Sequence, residues 1–159
     1  MYPESNMARR RMATRLTQLP VTSVILQGSP MRTVRVLLVE DNPFLSESLK
    51  SILGQDSAFE VAGEVRDGIA AVSLARRLSP DLVLMDMSLP GIGGIAAARL
   101  IKDERPDTRV VLLADDDDHD YHQAAMAGGA SLCLPKEGIV GELLRALRNM
   151  LLDERGFQI

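Results

Sequence analysis

Tryptophan is absent from this chain, cysteine occurs once and aromatic residues make up 3% of it, so aliphatic side chains and alanine must fill its interior. The single Cys133 excludes an intrachain disulfide and fits a reducing compartment, which makes the cytoplasm the expected location. No apolar run approaches the roughly 20 residues that span a bilayer. The longest apolar segment near the amino terminus, residues 19–26, is broken by Pro20, Thr22 and Ser23. Arg9-Arg10-Arg11 precede it, but the segment is too short and polar for an export signal, and no small-residue cleavage site follows. Internal repeats, a nucleophile elbow and a dinucleotide fingerprint are also missing, which disfavours a hydrolase or a small-molecule-binding α/β enzyme. Gly91-Ile92-Gly93-Gly94 lacks the Lys-Ser or Lys-Thr of a P-loop and reads as a tight turn into a helix.

What is present describes an ordinary globular protein of about one domain: 159 residues, 46% apolar and 25% charged. The net charge of −4 hides an asymmetry. Residues 1–33 carry five Arg against Glu4, a net +4, which leaves −8 on residues 34–159. An acidic body argues against direct nucleic-acid binding and is more consistent with a cation-binding rim. Residues 1–33 mix Pro, Ser, Thr, Gln and Arg without a sustained period and read as a flexible basic extension. Translation from Met31, or from Met7 or Met12, is the alternative reading of that segment. The globular part is expected over 34–153, with a short tail at 154–159.

From Val34 onward, strand-like and helix-like stretches alternate. Residues 34–40, 60–65, 81–86, 109–114 and 131–134 are rich in Val, Leu or Ile and predict buried parallel strands. Helical stretches fall between and after them, at 43–53, 69–78, 95–104, about 121–127 and 140–152, punctuated by Gly54, Gly68, Gly94, Pro106 and Gly128. Leu45, Leu49, Ile52 and Leu53 in the first, and Leu143, Leu144, Leu147, Met150 and Leu151 in the last, recur at helical spacing. Five βα units in succession predict a five-stranded parallel, doubly wound α/β sheet with right-handed crossovers.

Such a sheet collects its strand ends at one rim, outside which ligands bind. The first strand stops at Glu40-Asp41, the third at Asp86, the fourth at Ala114, and Lys136 follows the fifth. Carboxylates gathered there would repel one another without a cation, and oxygen ligands from acids, water and a main-chain carbonyl suit Mg²⁺. A lysine at the same rim would either neutralise Asp86 or hold an incoming phosphoryl oxygen as a point charge.

Glu40-Asp41-Asn42 after Val36-Leu37-Leu38-Val39, Asp86 with Leu89-Pro90 and Gly94 behind it, Ala127-Gly128-Gly129-Ala130 and Lys136 together resemble the receiver domain of two-component response regulators. The likeness covers about residues 34–152, and its specificity lies in order and spacing: Asp41 precedes Asp86 by 45 residues and Ala114 precedes Lys136 by 22. The resemblance implies a flavodoxin-like (βα)5 fold. It implies that Asp86 accepts a phosphoryl group from a sensor histidine kinase or a phosphotransfer protein, with Lys136 contacting the phosphate. It also implies Mg²⁺ held by Glu40, Asp41, Asp86 and the backbone carbonyl of Ser88. Beyond accepting and losing its own phosphoryl group, the protein is expected to be no enzyme. It is expected to signal through contacts with a downstream protein, without an attached output domain.

Two positions depart from the family pattern. A hydroxyl residue usually ends the fourth strand, where Ala114 stands here, and an aromatic usually sits three residues before the lysine, where Cys133 stands here. Thr108 before the strand and Asp115 after it do not restore the hydroxyl by a one-residue slip. Losing one charge-assisted hydrogen bond is worth roughly 1.5–3 kcal/mol, comparable to the coupling of about 1–3 kcal/mol in typical switches. The alternative expectation is therefore a receiver that acts as a phosphorylation-independent interaction module. Residues 115–120, five Asp with His119, lack the spacing and glycine of a calcium loop and read as a solvated acidic loop. His122 reads as a helix-surface residue, and Cys133 as a small apolar packing residue rather than a redox sensor. Pro135 ahead of Lys136 removes a ladder donor at a strand end.

Overall fold

The computed structural model describes residues 32–116 and 118–153. Residues 1–31 of the expected extension, Asp117 of the acidic run and the tail at 154–159 lie outside the described residues. Among the described residues, five strands alternate with five helices: β1 (Val34–Val39), α1 (Pro43–Gly54), β2 (Phe59–Val65), α2 (Gly68–Leu78), β3 (Leu82–Asp86), α3 (Gly93–Glu104), β4 (Arg109–Ala114), α4 (His119–Ala127), β5 (Leu132–Pro135) and α5 (Ile139–Asp153). All neighbouring strands pair in parallel in the order β2-β1-β3-β4-β5, the flavodoxin-like order whose reversal of direction falls between β1 and β3.

Alternation along the strands divides the apolar residues between two layers. Val34, Val36, Leu38, Leu82, Leu84, Val111 and Leu113 pack with Leu49, Ile52 and Leu53 of α1 and Leu143, Leu147 and Leu151 of α5. Leu37, Val39, Val83, Met85, Val110 and Leu112 face Ala71 and Ala75 of α2, Ala97, Ala98 and Ile101 of α3, and Ala125 of α4. The alanines let those three helices lie close to the sheet. The scarcity of aromatics shows directly: Phe59 is buried, whereas Phe44 is 84% and Tyr121 55% exposed.

Caps set the helix starts. The Asn42 side chain accepts hydrogen bonds from the Phe44 and Leu45 amides, with Pro43 opening the helix. Asp67 caps α2 through the Ala70 amide, and Asp118 caps α4 through the Asp120 amide. The second, third, fourth and fifth helices begin one, two, two and one residues earlier than apolar periodicity indicates; Asp67 and Asp118 cap the second and fourth, whereas the third opens at Gly93 without a side-chain cap. The fifth strand extends through Pro135, one residue beyond the expected end. Pro135 pairs with Ala114, and the Lys136 amide donates to the Ala114 carbonyl at 2.8 Å. Strand alternation then turns the Pro135 nitrogen toward the open side of this edge strand, so no ladder bond is lost.

Gly94 brings α3 against the end of β3. A Cβ there would lie 2.3 Å from the Asp86 carbonyl oxygen and 2.7 Å from the Met87 Cα. At the opposite side of the molecule, Arg148 of α5 forms two hydrogen bonds to Asp56, 2.7 and 2.8 Å long, tying the last helix to the α1–β2 connection. The Arg148 guanidinium holds the Asp56 carboxyl below the usual carboxylate range; burial opposes this and the Ala58 amide assists it. None of the described helices is long and apolar enough to cross a membrane.

Two stability outcomes are expected. Gly94→Ala should cost about 1–3 kcal/mol because backbone must move, whereas Gly141→Ala, at an exposed place in α5, should stabilise by about 0.5–1 kcal/mol through helix propensity. An added Cβ at Gly141 meets nothing within 4 Å, and urea unfolding of the two variants checks the opposite signs. Asp56, with a folded pKa below its unfolded one, adds stability above the unfolded value and loses it as pH falls through the folded value. The urea midpoint of Asp56→Asn should fall below that of the parent near neutral pH and converge with it in acid.

Candidate functional site

The backbone ladder delivers each candidate side chain to one rim. The Glu40 amide donates to the Val65 carbonyl at 3.1 Å, the Met87 amide to Leu113 at 2.8 Å, and the Lys136 amide to Ala114 at 2.8 Å. Glu40, Asp86, Ala114 and Lys136 are thereby fixed at the carboxyl ends of adjacent strands. Glu40 and Asp86 are 1% and 2% exposed, while Asp41 is open to solvent. Carboxylate oxygens of Glu40, Asp41 and Asp86 lie within 4.8 Å of one another.

Lys136 enters this group from β5. Its Nζ is 2.9 Å from Asp86 Oδ1, 2.8 Å from Asp115 Oδ1 and 4.0 Å from Glu40 Oε2. The Ser88 amide donates to the same Asp86 Oδ1 at 2.9 Å. Burial works against the charge on Lys136, but hydrogen bonds to Asp115 and Asp86, with the fields of Asp86 and Glu40, outweigh it and hold the ammonium well above the usual lysine range. The cation is thus permanent at any ordinary pH.

Glu40 has the opposite balance. Burial pushes its carboxyl up, the Asn42 amide on Oε1 pulls it down, and the charges of Asp86 and Asp41 push up against the pull of Lys136. Its second oxygen, Oε2, is buried without a hydrogen bond. A buried carboxylate oxygen with no donor costs free energy, and a cation shared with Asp41 and Asp86 would satisfy it. The donor set, three carboxylates with open access beside Asp41, fits a hard divalent ion.

Expected residues Glu40, Asp41, Asp86, Ala114 and Lys136 are therefore neighbours, and Ser88 lies beside them. Ala114 is buried at the rim and Cys133 is buried in the layer beneath it. Thr108 sits at the other end of β4, where its hydroxyl donates to the Pro80 carbonyl, so it supplies nothing to this rim. The reading of residues 115–120 as a solvated loop is corrected at Asp115, and at His119 and Asp120, which open α4. Asp115 accepts from the Ser88 hydroxyl at 2.8 Å as well as meeting Lys136, and these two partners hold its carboxyl below the usual range. Its position directly after the fourth strand, at the rim itself, was the available signal; the run of acids obscured it. His122 is on the exposed face of α4, as expected.

Residues 36–148 match the family model described as the response regulator receiver domain. The chain is 32% identical over 115 residues to the transcriptional regulatory protein DegU of Brevibacillus brevis, covering 72% of this chain and 49% of that one. It is 30% identical over 122 residues to the response regulator GacA of Pseudomonas aeruginosa, covering 77% and 57%. Among solved structures, the receiver domain of NarL from Mycobacterium tuberculosis superposes with a TM-score of 0.70 at 30% identity, covering 74% of this chain and 95% of that one. The response regulator domain of Thermotoga maritima CheB does so with 0.70 at 30%, covering 76% and 98%. The chain spans about half the length of the curated relatives it matches. With its strand order, its carboxylate rim and the family match over residues 36–148, the chain belongs to the response regulator receiver domains of two-component systems.

Proposed function

We propose that Asp86 accepts a phosphoryl group from a sensor histidine kinase or a phosphotransfer protein, and that the domain passes the resulting signal on through protein contacts. The observation that carries this reading is the buried Asp86 carboxylate at the tip of β3, held 2.9 Å from the Lys136 ammonium beside Glu40 and Asp41. In the proposed transfer, an Asp86 oxygen attacks phosphorus in line as the phosphorus–nitrogen bond to the donor imidazole breaks and the imidazole leaves carrying a proton. Lys136 and the Ser88 amide orient the Asp86 carboxylate, and Lys136 follows the charge that builds on the phosphoryl oxygens. Glu40, Asp41, Asp86 and the Ser88 carbonyl would hold Mg²⁺, which offsets the negative charge of the incoming group when bound.

A second reading is favoured by Ala114 and Cys133. Without a hydroxyl at the end of β4 or a ring three residues before Lys136, a phosphoryl group on Asp86 has fewer contacts through which to move α4 and β5. The domain then serves as an interaction module whose binding surface is independent of phosphorylation.

Incubation with Mg²⁺ and acetyl phosphate, followed by intact-mass measurement, should yield one phosphoryl adduct that Asp86→Ala abolishes. Absence of the adduct, with acetyl phosphate and with a histidine kinase as donor, would leave the second reading in its place. Mg²⁺ is also expected to raise the melting temperature of the parent protein. Its apparent affinity should fall at least about tenfold in Glu40→Gln, and an unchanged Mg²⁺ response would remove Glu40 from the ligand set.

A further inference from the structure

Asp115 bridges two donors that flank Asp86. Its Oδ1 lies 2.8 Å from Lys136 Nζ, and its Oδ2 accepts from Ser88 Oγ at 2.8 Å. Lys136 at the same time meets Asp86 Oδ1 at 2.9 Å, and the Ser88 amide meets that oxygen at 2.9 Å. A phosphoryl group on Asp86 would bring three further oxygens into this space, each requiring a donor or a cation. Ala114, at the end of β4, offers no side-chain donor. The side-chain donors beside Asp86 are the Lys136 ammonium and the Ser88 hydroxyl, and Asp115 engages both.

We propose that Asp115 is a resident oxyanion, a positioning residue whose carboxylate occupies the donors that a phosphoryl group on Asp86 would use, so that phosphorylation has to displace it. The proposal rests on Asp86 being the phosphoacceptor. Its physical basis is competition of like charges for one cation. With Asp115 in place the Lys136 charge is divided between two carboxylates, and a phosphoryl group arriving on Asp86 meets an anion where it needs a cation. The Asp115 side chain is 56% exposed, so rotation into solvent requires no rebuilding of the core, and the barrier is electrostatic rather than steric. The same competition acts after transfer: a returning Asp115 draws Lys136 away from the phosphoryl oxygens and shortens the life of the adduct.

The test compares the parent protein with Asp115→Asn and Asp115→Glu. Each is labelled with acetyl phosphate and Mg²⁺ and followed by intact mass, for the initial rate and for adduct half-life after donor removal. Asn keeps the size and a hydrogen bond to Ser88 but removes the charge. Asp115→Asn should label faster by roughly twofold to fivefold, in keeping with the strength of a partly exposed charge pair, and hold its adduct longer. Asp115→Glu, which restores the charge, should return toward the parent. Equal rates and half-lives for the parent and Asp115→Asn would overturn the proposal and leave Asp86 as the acceptor. An adduct on neither protein, with acetyl phosphate and with a histidine kinase as donor, would overturn the acceptor reading and the proposal with it. Matching urea midpoints exclude misfolding as the source of a difference.

Discussion

Lys136 meets three carboxylates at the end of the sheet, two of which are almost wholly out of water. Glu40 and Asp86 are each buried to within 2% of completely, and an ionised acid in such a place is costly unless a cation meets it. One ammonium answers Asp86 and Asp115 at hydrogen-bond distance but reaches Glu40 only at 4.0 Å. The deficit collects on Glu40, whose carboxyl is pushed up by burial and whose Oε2 has no donor. The rim is therefore short of positive charge by construction, which is the condition for taking up a divalent ion.

The scaffold keeps this arrangement from relaxing. The residues that carry charge follow strands whose last backbone bonds are made, and α3 is pressed so close to β3 that Gly94 has no room for a side chain. The parallel sheet is covered on both faces, which anchors the strand ends to a core of aliphatic residues and alanines. Preorganisation of this kind suits a reaction whose chemistry consists mostly of holding groups in place. Past the end of β4, the Asp115 side chain is 56% exposed while its carboxylate meets Ser88 and Lys136, and Ala114 contributes no polar side-chain atom.

The acidic rim was visible in the residues themselves. Buried runs that stop at Glu40-Asp41 and at Asp86 identify the acidic rim, because a carboxylate ending an apolar strand has one place to go in a doubly wound sheet. Strand positions were legible because Val, Leu and Ile runs of strand length, bounded by turn residues, alternate with longer helical stretches. Helix starts were less so at α2 and α4, since Asp67 and Asp118 act through single side-chain hydrogen bonds that leave no periodic trace. Pro135 looked disruptive because its effect depends on which side of the strand faces open space. Asp115 is masked by its neighbours in an acidic run, and only its place directly after the fourth strand distinguishes it from them.

The order of residues by itself determined the alternation of strand and helix, the aliphatic and alanine core, the presence of Glu40, Asp41, Asp86 and Lys136 at strand ends, and the absence of a hydroxyl and a ring at Ala114 and Cys133. These follow from short-range pattern and side-chain chemistry. Tertiary structure alone decided how one ammonium is shared: Lys136 within 2.9 Å of both Asp86 and Asp115, with Glu40 left farther away. That division depends on the distances between the ends of β1, β3, β4 and β5, residues separated by tens of positions in the chain. Coulomb energies at such ranges change steeply with ångström-scale placement.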